Sequence, residues 1–197
     1  MKSIISAVLI IIATIGYCQQ DIRTSFNRFN RQQFNPSVVG INEYELTLID
    51  VIKYRGSLRN RNISYLQTKE YLSGAIPITN INSGLGLLLH YDNSLRLPFL
   101  SIKGQYAYHL KLSNGSLSGG FSAGILKFET TDLDIDVGVN YENEKLTAGV
   151  SFTHLNQPSL TSWSKTKRHL FLDLCYKIPI TEKLTTEPYI LLNTDFA

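Results

Sequence analysis

The stretch Leu133–Leu155 constrains this chain more than any other. Leu133, Ile135, Val137, Val139 and Tyr141 alternate with Asp134, Asp136, Gly138 and Asn140. After the polar Glu142-Asn143-Glu144 the alternation resumes, with Leu146, Ala148, Val150 and Phe152 against Lys145, Thr147, Gly149, Ser151 and Thr153. A period of two means a strand with one apolar and one polar face, and two such runs joined by a short polar turn make a β-hairpin. Each run is about ten residues long, whereas strands of soluble sheets are usually about five or six. A tilted strand that crosses a bilayer needs about nine to eleven. The hairpin therefore predicts two adjacent staves of an antiparallel, transmembrane outer-membrane β-barrel.

Comparable patterns run along the chain. Tyr44, Leu46 and Leu48 open a strand that continues to Tyr54, and a basic loop with Arg55, Arg59 and Arg61 follows. Asn62–Leu72 reads as a weakly patterned strand, and Gly74–Ser83, which contains Pro77, as a connection. In Gly84–Tyr91, Leu85, Leu87, Leu89 and Tyr91 oppose Gly84, Gly86 and His90. In Leu97–Leu112, Leu100, Ile102, Tyr106, Tyr108 and Leu110 oppose Ser101, Lys103, Gln105, Ala107, His109 and Lys111. Asn114-Gly115 is a strong hairpin signal; beyond it Leu117, Phe121 and Ile125 alternate with Ser118, Gly120 and Ser122. A longer loop, Asn156–Lys167, precedes two final strands, Arg168–Tyr176 and Thr185–Thr194. The count is about nine, odd for a single-chain bacterial barrel. Small residues on the polar faces predict a lumen that is crowded or plugged. A soluble β-sandwich is the competing fold.

The N-terminus reads as an address. Lys2, the apolar run Ile4–Ile15 and the small Gly16 and Cys18 define residues 1–18 as a cleaved signal peptide, too short to anchor. Lipidation of Cys18 is the alternative, opposed by the bulky Tyr17. Residues 19–42 form a polar periplasmic lead-in whose aromatics Phe26, Phe29 and Phe34 tuck against the barrel mouth. Asn35-Pro36 signals a turn and Gly40 a reversal. Residues 43–197 form the barrel domain. With the N-terminus periplasmic, the turns at Ser113–Gly115, Glu142–Glu144 and Pro179–Lys183 fall on the side where barrels keep turns short, and Ser73–Ser83 is too long to fit. The chain of 197 residues carries a formal net charge of only +3, which gives nucleic-acid binding no electrostatic support.

Several separated stretches resemble one family. Phe34-Asn35-Pro36-Ser37-Val38-Val39-Gly40 resembles the aromatic–Asn-Pro-Ala-Tyr-Ala-Gly signature of PorP/SprF proteins, outer-membrane components associated with the type IX secretion system of Bacteroidetes. Gly84-Leu85-Gly86-Leu87, Gln105–Leu110 and Leu117–Phe121 are also similar to that family, in its order. Ala148–Pro158 resembles its Gly-Leu-Ser-x-x-His-Leu-x-x-Pro element, which marks His154 and Pro158 as structural motif positions. The family's tyrosine has no counterpart at Val38, so no role for it carries over. Family members usually continue through several more strands beyond Leu191–Asp195, so the chain is either a shortened member or fragment, or closes with a partner.

The resemblance implies a non-enzymatic outer-membrane protein of type IX secretion, serving secretion, gliding motility or surface attachment of exported cargo such as adhesins. Its partners would be outer-membrane lipid, other secretion-system proteins (a periplasmic peptidoglycan-bound lipoprotein among them) and the cargo. Phe34, Asn35, Pro36 and Gly40 are the candidate partner-docking residues. A small diffusion porin is the alternative. No cofactor or metal is expected, since His90, His109, His154 and His169 lack close ligand spacing. His154 ends an apolar row, which places its ring at the membrane interface. Asp132, Asp134 and Asp136 share the polar face and line the lumen or meet cations such as Lys103 or Lys145. No nucleophile motif such as Gly-x-Ser-x-Gly is present, and Cys175, inward with Asp173 and His169, reads as packing.

Overall fold

The structure, a computed structural model, describes residues 30–196 apart from 42, 57–63, 94–96 and 182–183. The signal segment, Phe26, Phe29, Arg59, Arg61 and Asn62 lie outside the described residues. Two 3-10 turns, Arg31–Gln33 and Pro36–Val38, come first. The strands are β1 Glu45–Gly56, β2 Ser64–Ile78, β3 Ser83–Asp92, β4 Phe99–Leu112, β5 Gly115–Lys127, β6 Thr131–Glu142, β7 Leu146–Thr153, β8 Ser159–Thr161, β9 Ser164–Lys165, β10 Arg168–Tyr176, β11 Ile178–Thr181, β12 Leu184–Thr186 and β13 Tyr189–Phe196. Nine of them form one sheet in the order β1-β2-β3-β4-β5-β6-β7-β10-β13. Every neighbouring pair is antiparallel. The pairs β8–β9 and β11–β12 are small hairpins inserted on either side of β10. One large sheet, not two packed face to face, excludes the sandwich.

The sheet is inside-out by the standards of a soluble protein. Leu87, Phe121, Val139 and Leu192 are about half exposed on its convex face. Ser118, Ser122, Asp134, Asn140 and Ser151, on the same strands or their neighbours, are fully buried on the concave face. Among the described residues, the buried apolar side chains cluster at Val39, Ala75 and Ala107. A belt of exposed leucine, valine and phenylalanine this wide requires an apolar solvent. Apolar-out and polar-in alternation is how a barrel meets lipid. The fold is an all-β, antiparallel barrel of the outer-membrane type. It is incomplete: among the described residues β1 and β13 pair with nothing on their outer edges.

Two expectations about strand ends need correction. Gly74–Ser83 is not a connection, because β2 runs on through Pro77 to Ile78, with Tyr71, Ser73 and Ala75 buried and paired in register with β3. Pro77 is the second-last residue of the strand, where a missing N–H costs little. The turn is then only 79–82, with Asn82 left-handed at φ 48°. It joins the tight turns at 113–114 and 143–145 at one end of the sheet, which removes the misfit. The last strand, expected from Thr185, is two pieces: β12 pairs with β11 in its own small hairpin and β13 pairs with β10, with Pro188 between them.

Candidate functional site

Residues 30–40 lie inside the sheet, not at its mouth. Local sequence sets their shape. Asn35 caps the second 3-10 turn, its Oδ1 accepting from Ser37 N at 3.1 Å and Ser37 Oγ at 2.6 Å, with Pro36 at the first position of the turn. This is the helix-start chemistry of an N-capping Asn followed by Pro. Gly40 ends the segment at φ 64°, and a Cβ there would lie 2.7 Å from Ile76 O and 2.8 Å from Gly84 Cα. No side chain other than hydrogen fits at that position.

The strands around the segment are cut away to receive it. A Cβ on Gly120 would stand 2.6 Å from Ser37 Cα and N, and one on Gly86 2.8 Å from Val39 Cγ1. On Gly84 it would meet Gly40 Cα at 2.9 Å, on Gly138 the Asn35 side chain, and on Gly149 Asn35 Nδ2 at 2.8 Å. These five inward glycines, on β3, β5, β6 and β7, border one short peptide, with Asp173 sharing the space beside Gly149.

Hydrogen bonds fix the segment in register. Arg31 reaches Asp173 Oδ2 through Nη2 at 2.6 Å and Nε at 3.0 Å, and donates to Asn140 Oδ1 at 2.6 Å. Gln105 Nε2 donates to Gln32 O at 2.9 Å, and Asn35 Nδ2 to Val139 O at 3.3 Å. His109 Nε2 lies 3.0 Å from Val39 O and its Nδ1 2.8 Å from Ser118 Oγ. A carbonyl only accepts, so the proton sits on Nε2. Phe34 stacks on Phe171 with ring centroids 5.4 Å apart. Through these contacts the segment touches β2 through β7 and β10.

The four candidate docking residues are thus brought together, and all are buried: Phe34, Asn35, Pro36 and Gly40 face the lumen wall. A partner would meet them only with the segment out of the sheet.

A second cluster occupies the other end of the lumen. Lys103 Nζ lies 2.7 Å from both Asp134 Oδ2 and Asp136 Oδ2, and Ser122 Oγ donates to Asp136. His154 turns inward, not toward the membrane interface. At φ 54° it donates its backbone N–H to Asp136 Oδ1 at 2.9 Å and sets Nδ1 2.9 Å from Asp134. Its ring meets His169 edge-on at 5.6 Å, and His169 Nδ1 lies 2.6 Å from Asp195 Oδ1. Asp132 accepts from Ser159 N at 2.9 Å. The three aspartates thus pin the segment that follows β7, while Lys145, the other expected cation, is exposed at the opposite turn. Pro158 is fully buried, its carbonyl accepting from Thr166 N.

Donor atoms of Asp134, Asp136 and His154 lie within 4.8 Å of one another, a spacing that could hold an ion. The Lys103 ammonium already sits between the two carboxylates, so a cation would have to displace it. Ser118 and His109 make a buried Ser–His pair, roofed by Val39, while Ser122 spends its proton on Asp136. Both serines are fully buried. The Asp134–His154 and Arg31–Asp173 pairs were missed by sequence reading. The first is faintly signalled by two aspartates on the strand beside His154; the second, 142 positions apart, has no signal.

Fold and interior together define a class: an outer-membrane-type β-barrel that carries its own N-terminal segment in the lumen. The chain belongs to the PorP/SprF family of type IX secretion system membrane proteins, whose model matches residues 16–133 and 127–197. The two matched stretches overlap at residues 127–133, across the short β5–β6 connection. Comparison with curated proteins and with solved structures found no match.

Proposed function

We propose that the protein is a non-conducting outer-membrane component of type IX secretion, supporting secretion or surface attachment of exported proteins such as adhesins. The observation that carries this reading is the filled interior. A diffusion porin needs an open, wet lumen, and here residues 30–40 and the Lys103 cluster occupy it. The protein then acts through its surfaces, toward secretion-system partners on the periplasmic side (a peptidoglycan-bound lipoprotein is one candidate) and toward cargo outside. Residues 1–18 serve as the export signal, and the tight-turn end of the sheet faces the periplasm. Phe34, Asn35, Pro36 and Gly40 act first as the plug, and as a docking element only when it is withdrawn. Cells lacking the chain should lose cargo from their surface while uptake of a small hydrophilic solute is unchanged. The reverse pattern would favour the porin.

A further inference from the structure

The two ends of the sheet differ in charge. In sequence, the connections and strand ends on the long-loop side (55–63, 93–98, 127–132 and 154–168) carry eight lysines and arginines against two acids. The tight-turn side (43–45, 79–82, 111–115, 142–145 and 177–188) carries four against six. A chain of formal net charge +3 thus concentrates its positive field at one rim. The two acids there do not cancel it: Asp132 is committed to the backbone N–H groups of Ser159 and Leu133, which leaves Glu129.

Two of these cations end lipid-facing rows. On β5 the convex residues Phe121, Ala123 and Ile125 are followed by Lys127, and on β10 Leu172 and Leu170 are followed, toward the same rim, by Arg168. Long cationic side chains in that position carry their charge out of the hydrocarbon into the headgroup layer. Arg168 spends one of its five donors, Nε, on Leu155 O at 3.0 Å. The hairpin β8–β9, just before β10, holds Lys165 and the chain's one tryptophan, Trp163, 83% exposed at the hairpin's turn. It is fastened to the β5–β6 connection: Leu160 O accepts from Glu129 N at 3.1 Å and Thr130 N at 3.2 Å, and Thr130 Oγ1 donates to Ser159 O at 2.8 Å. The indole and the ammonium are therefore carried on a fixed support at the rim. A soluble protein would reach only the loop tips, whereas cations on lipid-facing rows meet lipid headgroups.

We propose that Lys127, Trp163, Lys165 and Arg168 form a binding site for the phosphorylated headgroup of a glycolipid in the outer leaflet. The three cations pair with its phosphates, and the Trp163 ring packs on a sugar face. The proposal rests on the membrane-barrel reading, with the tight-turn end in the periplasm, but not on the secretion role.

The test uses the purified full chain in dodecyl maltoside micelles, with heat-modifiable mobility checked first, and reads the emission of Trp163 as lipid is added. Diphosphoryl lipid A should shift the emission to the blue and saturate, monophosphoryl lipid A should bind more weakly, and dilauroylphosphatidylcholine and inorganic phosphate should give no shift. Lys127→Gln with Lys165→Gln should weaken lipid A binding about tenfold, the loss of two partly screened charge-assisted contacts. Lys111→Gln with Lys145→Gln, at the opposite rim, should leave it unchanged. Equal shifts with lipid A and the phosphatidylcholine would make Trp163 an ordinary interfacial aromatic. A shift with polyglutamate as large as with lipid A would point to an acidic protein, and equal losses in the two double variants to net charge without a site. Each of these overturns the proposal. Orientation is read separately, by labelling Ser162→Cys on intact cells with a membrane-impermeant maleimide, in a background with Cys18→Ala and Cys175→Ser. Labelling on cells without lipid A binding in micelles overturns the proposal alone. Labelling only after lysis overturns the orientation, and the proposal with it.

Discussion

Gly119 and Gly120 are neighbours in β5 and face opposite ways, which makes them a matched pair for testing whether the 30–40 segment is seated as described. A Cβ on Gly119 would meet nothing within 4 Å; one on Gly120 would lie 2.6 Å from Pro36 O, Ser37 Cα and Ser37 N. Carbon atoms pack at about 3.5–4.0 Å, so Gly120→Ala forces strand or segment to shift by about 1 Å. Overpacking of this kind costs about 1–3 kcal/mol. With tenfold per 1.4 kcal/mol, the ratio of seated to unseated segment falls by about five- to 150-fold. Gly119→Ala should be neutral or stabilising by about 0.4–1 kcal/mol, through the unfolded chain alone. The readout is labelling of Val38→Cys by a membrane-impermeant maleimide, in a background lacking Cys18 and Cys175. Gly120→Ala should raise the labelling rate and Gly119→Ala leave it at the parent value. Equal rates in the two variants would refute the placement of the segment.

Arg31→Met leaves Asp173 buried without its charge partner and should lower stability in urea by about 3–5 kcal/mol; Arg31→Met with Asp173→Leu should recover much of that, and additive losses would argue against the pairing. Val137→Arg puts a cation on the lipid face at a cost of about 2–4 kcal/mol. Asp136→Lys, which a wet lumen would tolerate, should be at least as damaging because Asp136 holds Lys103, Ser122 and His154; normal assembly of that variant would contradict the cluster. Chelation with EDTA should leave heat-modifiable mobility of the native protein unchanged, since Lys103 supplies the counter-charge; a drop would show that an ion, not the ammonium, neutralises Asp134 and Asp136.

The strands and their faces were legible because a period of two is a local signal: Leu133, Ile135 and Val137 point one way wherever the sheet goes. Pro77 misled because its missing N–H argues against a strand, and nothing local shows that it falls one residue before the strand's end. The crowding of the lumen was also legible, in Gly84, Ser122 and Gly149 on polar faces. What filled it was not. A glycine records that something approaches closely, not which residue, and Asn35 and Gly149 are matched only by the fold. His154 was placed at the membrane interface because it continues an apolar row. Its left-handed backbone, which swings the ring inward onto Asp134, breaks the alternation that justified the placement. Arg31 and Asp173 carry no signal of pairing, since a charge on a polar face is the expectation for any lumen.

The central claim is that a membrane-spanning barrel is closed to ions by residues 30–40 of its own chain. Single-channel recording of the purified full chain in a planar bilayer, beside a variant lacking those residues, tests it most directly. The account predicts a silent intact protein and a deletion variant that conducts. Steady ohmic openings of the intact protein would contradict it.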